Sequence, residues 1–188
     1  MKNLKSIALA LVVVLSTLSV TAQTKKVDAT KSSISWIAKK VTGQHNGTVN
    51  LKSGALVFKG KKLTGGTFLV DMSSLTATDI QGEWQGKLNG HLKSEDFFGT
   101  EKFPTAALVF KKVSVKAPNV YTVTGDLTIK GITNPITFDL ATTANSAATS
   151  LKIDRTKYDI KYNSASIFSS IGDKAIADDF ELAVALTF

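Results

Sequence analysis

Short runs of alternating apolar and polar residues constrain this fold more than any other feature of the sequence. In residues 120–130, one set of alternate positions is apolar apart from Gly125, and the other carries mainly threonines and charged side chains. A period of two places alternate side chains on opposite faces of a β-strand. Similar runs occur at residues 34–38, 47–51, 55–59, 68–72, 105–113, 136–140, 151–153 and 180–188. About eight such strands predict an all-β fold, an antiparallel sheet that closes into an eight-stranded barrel around side chains or one small ligand.

One segment has helical instead of strand periodicity. Apolar residues recur at every fourth position and would form one stripe along an α-helix: Ile80, Trp84, Leu88 and Leu92. We expect Thr78 or Asp79 to cap this inserted helix. Glycines also recur every fourth position from residue 82, which leaves two interpretations open. They either let the helix approach a sheet closely or make it a distorted, marginal helix.

Residues 91–110 connect this helix to the next strand. Phe97 and Phe98 are adjacent there and lie in a predicted turn. Neighbouring turn residues point in different directions, so one sheet face rarely accommodates both rings. We therefore expect this segment to seat the helix on the sheet and to form the rim of any cavity.

The N-terminus has the composition of an export signal. Lys2 and Lys5 precede an apolar run, and residues 1–22 end in small side chains suited to cleavage. The apolar run is short for a membrane span, which needs roughly 20 residues. We therefore predict a periplasmic protein, with secretion as the alternative, and one mature domain at residues 23–188.

The composition restricts the chemistry available. The chain has no cysteine, so cysteine nucleophiles and disulfides are excluded. Its net charge of +8 falls to +6 without the two lysines of the signal, and the remaining lysines are dispersed. Dispersed charge and export both argue against nucleic acid and favour anionic head groups as partners.

No catalytic motif is recognisable in the sequence. His45 and His91 are the only histidines, and neither accompanies a nucleophile elbow. No glycine-rich phosphate loop or zinc-ligand pattern occurs. We therefore predict a protein that is not an enzyme and has no cofactor, no metal site and no catalytic residues.

Three ordered motifs resemble those of the YceI-like, polyisoprenoid-binding family. They are H-L-K-S-x-D-F-F at residues 91–98 followed by K-F-P, Y-x-V-x-G-D-L-T-I-K-G-I-T-x-P at residues 121–135, and I-D-R at residues 153–155. The resemblance covers the whole mature chain. It implies an extended, lipocalin-like antiparallel barrel with an inserted helix and an elongated apolar tunnel.

This resemblance implies a function in binding, transport or storage of an isoprenoid-like or other amphiphilic lipid. Combined with the alternation, it predicts these cavity residues: Trp36, Phe58, Phe68, Val70, Trp84, Leu88, Leu92, Phe97, Phe98, Phe110, Val123, Leu127, Ile129 and Phe138. The predicted contacts to an anionic or quinone head group are His45, His91, Lys93 and Arg155. We further expect transient membrane contact and leave a homodimer open.

Two other functions remain open from the sequence. The alternation up to the terminal Phe188 is also typical of an integral outer-membrane β-barrel, whose apolar residues would face lipid. An enzyme or stress protein acting on a bound small molecule would need an acid–base group in the pocket, for which His91 is the candidate.

Overall fold

The computed structural model describes residues 21–168 and 170–188. Residues 1–20, most of the predicted export signal, lie outside the described residues. The strands are β1 (Ala22–Lys26), β2 (Ser33–Lys40), β3 (Gly43–Lys59), β4 (Lys62–Ala77), β5 (Thr105–Ala117), β6 (Val120–Ile129), β7 (Ile132–Thr142), β8 (Ser146–Asp154) and β9 (Ile176–Thr187). Helix α1 (Gly82–Lys93) lies between β4 and β5, and short 3-10 turns occur at Arg155–Tyr158 and Gly172–Lys174.

The sheet closes into an eight-stranded antiparallel barrel with an inserted helix, which confirms the predicted fold. The order around the barrel is β3, β2, β9, β8, β7, β6, β5 and β4, and β4 pairs back with β3. The short β1 lies beside the second half of β3, in line with β2. Closure turns the apolar face of each strand inward, because this is the face that the barrel removes from water.

One seam of the barrel is sparsely paired. Strands β7 and β8 are joined at Ala141 with Ala148 and at Thr142 with Ala147. By contrast, β6 and β7 pair along their whole length. Pairing across the seam stops next to the tight β7–β8 turn and does not resume towards Ile132 and Asp154.

Several segments between the predicted strands are themselves strand in the structure. The single strand β3 joins the runs at residues 47–51 and 55–59 and begins already at Gly43, and β4 continues beyond its predicted run to Ala77. Gly47 allows β3 to pass close to its neighbours, since a Cβ atom there would lie 1.9 Å from the Thr76 carbonyl and 2.5 Å from the Trp36 ring. Strand β8 likewise begins at Ser146, before the predicted run at residues 151–153.

The helix also differs from its prediction at its start and on its surface. Its N-cap residue is Gln81, which makes no side-chain capping bond, so the predicted cap by Thr78 or Asp79 was wrong. Those two residues bond Asn46 instead. Apart from the helix itself, no atom of the described residues lies within 4 Å of a Cβ built on Gly86 or Gly90, so close approach to the sheet does not explain the glycine spacing.

Candidate functional site

The barrel encloses an apolar cavity of ≈ 180 Å³. Its wall is built by inward-facing side chains of β2 to β9, by the end of α1 and by the segment after β8. Every described residue that lines it is apolar except Thr149 and Arg155. An apolar cavity of ~150 Å³ is large enough to take up benzene or xenon in water, so this one has room for part of a hydrocarbon chain.

The two ends of the barrel differ. The packed end, at the β3–β4, β5–β6 and β7–β8 turns, is filled by buried side chains that do not line the cavity: Leu56, Phe58, Leu63, Tyr121 and Val123. The helix end carries α1, residues 94–104 and the β8–β9 connection. Leu92, Phe97, Phe98 and Ile160 line the cavity there. The cavity therefore lies towards the helix end of the barrel.

An aromatic cluster covers the helix end. Phe97 is buried and packs against the ring of His91, at 4.9 Å between centroids, and that of Tyr162, at 5.4 Å. Phe98 packs against Phe180 at 6.2 Å. These contacts join the segment after α1 to the β8–β9 connection and to β9, so the predicted rim residues are held between three parts of the chain.

Arg155 is buried at the same end, with 4% of its side chain exposed. Its guanidinium group donates hydrogen bonds to four main-chain carbonyls, those of Ile160, Tyr162, Ile176 and Ala177, at 2.9–3.0 Å. Asp178 lies 3.7 Å away, and burial lowers the pKa of the guanidinium while Asp178 and Asp154 oppose this. Because its donors are committed to the backbone, Arg155 anchors the β8–β9 connection and has little capacity left for a head group.

The other three predicted head-group residues do not line the cavity. The Nδ1 atom of His45 lies 2.8 Å from Asp79. His91 contacts Phe97 and Tyr162 from outside, with Asp96 3.7 Å from its Nε2 atom. Lys93 ends α1. The structure does not bring these residues together as one polar site.

Most predicted cavity residues do face the cavity. Those that line it are Trp36, Phe68, Val70, Leu92, Phe97, Phe98, Phe110, Leu127, Ile129 and Phe138. Phe58 and Val123 belong to the packed end, and Leu88 packs against the core without lining the cavity. Trp84 is 71% exposed and does not line the cavity. Whether any of them binds a ligand stays a prediction.

Several lining residues were absent from the predicted set. Strand β9 contributes Phe180, Leu182, Val184 and Leu186. These residues alternate in the sequence, but three of the four are aliphatic and all lie outside the three motifs. Closure of the barrel pairs β9 with β2 and so brings these β9 side chains to the cavity.

The described residues contain no cluster of three or more histidine, cysteine, aspartate or glutamate side chains arranged as metal ligands. Within residues 21–168 and 170–188, α1 and the short turns also lack the length and apolar character of a membrane-crossing helix.

Comparison with known proteins identifies similar chains and folds. Residues 26–188 match the family described as the YceI-like domain. A UPF0312 protein of Staphylococcus aureus (strain USA300) is 42% identical over 111 residues, covering 50% of this chain and 62% of that protein. The chain thus spans less than two thirds of this curated relative.

Two solved structures share the fold at low sequence identity. Burkholderia cenocepacia BcnA aligns with a TM-score of 0.64 at 20% identity, over 86% of this chain and 99% of its own. A polyisoprenoid binding domain from Saccharophagus degradans, implicated in plant cell wall breakdown, aligns with a TM-score of 0.58 at 16% identity, over 86% and 95%.

Proposed function

Because this chain belongs to the YceI-like family, as its motifs predicted, we propose that it binds an isoprenoid-like or quinone-like lipid and so carries or stores it. The observation that supports this most strongly is the barrel cavity, whose wall is apolar except for Thr149 and Arg155. The polyisoprenoid binding domain of Saccharophagus degradans has the same fold.

Burial of the lipid tail supplies the affinity. Each methylene removed from water contributes ~0.8 kcal/mol. A wholly buried tail of about twenty carbons would nominally reach ~16 kcal/mol, near the practical limit of non-covalent affinity. The cavity of ≈ 180 Å³ has room for part of such a tail, so only that part contributes. Loss of chain freedom on binding reduces this value strongly. The apolar wall therefore selects for a hydrocarbon tail, with little discrimination between tails of similar width.

The sidedness of the barrel argues against an integral outer-membrane protein. In such barrels the apolar residues face outward and the lumen is polar. Here the buried apolar residues face inward, and aspartates and threonines occupy the outer face of β6 and β7. An enzyme acting on a bound molecule is not favoured either, because neither His45 nor His91 lines the cavity.

The composition of residues 1–22 supports a periplasmic location, with secretion as the alternative. Large apolar side chains exposed at the helix end support transient membrane contact, which a carrier of water-insoluble lipid needs. These are Trp84 on α1 and Ile167 and Phe168 in the β8–β9 connection. Lys87 lies over the Trp84 ring, at 4.8 Å, a combination typical of membrane interfaces.

Solvent extraction of the native protein tests this function. The protein is purified without detergent, its bound molecules are extracted into organic solvent, and they are identified by mass spectrometry. We expect an isoprenoid or quinone-like lipid that is missing from a parallel preparation of an unrelated exported protein. Repeated recovery of lipid-free protein, together with failure to take up added isoprenoids, would contradict the proposal.

A further inference from the structure

The sparsely paired seam between β7 and β8 borders the cavity. Ile136 and Phe138 of β7 and Thr149 and Leu151 of β8 line both the cavity and the stretch where cross-strand pairing has stopped. The hydroxyl of Thr149 donates to the Asp139 carbonyl at 2.7 Å and closes the narrow end of the seam. At its other end, the side-chain amide of Asn134 donates to the Lys157 carbonyl at 2.9 Å. The seam is thus a stretch of barrel wall fastened at its two ends.

The polar groups at the cavity boundary are concentrated along this seam. Among the described residues, two polar ones line the cavity: Thr149 at the start of the β8 side of the seam and Arg155 just beyond its end. Strand edges that lack a partner also present rows of main-chain N–H and C=O groups. Elsewhere around the barrel, paired neighbours use these groups in their ladders.

The charged side chains along the seam pair with one another or with neighbouring strands. Asp139 pairs with Lys116, Lys152 lies 3.5 Å from Glu181, and Asp154 lies 3.9 Å from Lys157. The guanidinium of Arg155 is committed to main-chain carbonyls. The seam therefore offers hydrogen-bonding groups without an excess of positive charge.

We propose that the β7–β8 seam is the portal through which the lipid tail enters the cavity and at which an uncharged, hydrogen-bonding head group, such as a quinone or a hydroxyl, is held. This rests on the proposed function and adds the location and chemistry of its head-group site. A phosphate head is disfavoured there, because dehydrating a doubly charged group needs unpaired cations beside it.

Cross-linking the seam tests the portal directly. Because the chain has no native cysteine, two cysteines can be introduced at chosen positions. Thr137 and Lys152 are exposed residues of β7 and β8 on either side of the seam. The double variant T137C/K152C is joined by a short bismaleimide. Uptake of a benzoquinone with a short isoprenoid tail is followed by quenching of tryptophan fluorescence, because Trp36 lines the cavity.

The matched control joins Thr137 to the neighbour with which it is already paired. Thr124 and Thr137 face each other across β6 and β7, with their hydroxyl oxygens 3.2 Å apart. We expect loss of quinone uptake in cross-linked T137C/K152C and retained uptake in cross-linked T124C/T137C and in both uncross-linked variants. Uptake at the wild-type rate through the cross-linked seam would overturn the portal. Absence of uptake by every variant, including the wild type, would instead overturn the proposed function.

Competition by head group tests the second part of the proposal. Geranylgeraniol and geranylgeranyl phosphate share one tail and differ in charge. We expect the alcohol to displace the quinone probe at lower concentration than the phosphate does, in the wild-type protein. Stronger competition by the phosphate would contradict an uncharged head-group site.

Discussion

At the residue scale, the buried Arg155 holds the β8–β9 connection in place. Its place in the I-D-R motif made it a candidate for a head-group contact. The structure shows a buried guanidinium that binds four carbonyls across the β8–β9 connection. A sequence can identify the motif, but it cannot show whether the donors point to ligand or to backbone.

We expect Arg155→Lys to lower the free energy of unfolding by about 3 kcal/mol, because one ammonium cannot serve four separate carbonyls and leaves some of them buried without a donor. Urea unfolding followed by circular dichroism measures the change. The exposed neighbour provides the control, and Lys157→Ala should alter stability by less than about 0.5 kcal/mol. Equal midpoints for the two variants would show that Arg155 is not an anchor.

A substitution at Tyr158 is expected to stabilise the fold, in contrast to the one at Arg155. Its side chain is 1% exposed, and within the described residues its hydroxyl has no hydrogen-bond partner. Burial, with a smaller effect from Asp154, raises the pKa of this phenol. Because an unpaired buried hydroxyl costs free energy, Tyr158→Phe should raise the free energy of unfolding by about 1 kcal/mol. A decrease of similar size in the free energy of unfolding, measured by urea titration, would mean that the hydroxyl has a hydrogen-bond partner in solution.

At the scale of elements, the same substitution should have opposite effects in a strand and in the helix. Gly47→Ala would place a methyl group against the Thr76 carbonyl and the Trp36 ring. We expect this substitution to lower the free energy of unfolding by about 2 kcal/mol or more. Gly86 lies in the middle of α1, where an added methyl group meets no neighbour, so Gly86→Ala should raise the free energy of unfolding by about 0.5–1 kcal/mol. Thermal unfolding of both variants measures this contrast, and a destabilising Gly86→Ala would contradict the structure of the helix surface.

Strand existence could be predicted from the alternation, whereas strand length could not. The runs at residues 47–51 and 55–59 were recognised, but Gly47, Ser53 and Gly54 interrupt the pattern and concealed one continuous β3. Register shifts within the β3–β4 pairing move side chains between faces, and a strict period of two does not anticipate them. Strand β1 was missed because its exposed residues carry no alternation.

The whole molecule is expected to lose stability in acid. The pKa of Asp28 is lowered to about 2, chiefly by the hydroxyl of Thr30 and by Lys31. A carboxylate whose folded pKa lies below its unfolded value stabilises the fold above the unfolded pKa. That contribution is lost as the pH falls from about 4 towards 2. Asp28→Asn should therefore unfold with a shallower pH dependence in this window. Identical pH profiles for both proteins would contradict the Asp28 contacts.

The location of the cavity depends on the closed barrel and could only partly be predicted. Phe58 and Val123 alternate as well as Phe68 and Phe110 do, yet they fill the packed end. The difference arises from which strands meet across the barrel, and this is set by pairing over long sequence distances. The alternation thus identifies inward-facing residues, but not whether each one lies at the packed end of the barrel or beside the cavity.

Quinone binding to the cavity tests the central claim most directly. In Trp84→Phe, the remaining Trp36 reports on the cavity wall. In this background Ala106→Phe places a ring inside the cavity, and Ala183→Phe places the same ring on the exposed outer face of β9. The account predicts saturable quenching by an isoprenoid-tailed benzoquinone that Ala106→Phe abolishes and Ala183→Phe retains. Equal quenching in both variants, or quenching by the same quinone without its tail, would contradict binding in the barrel.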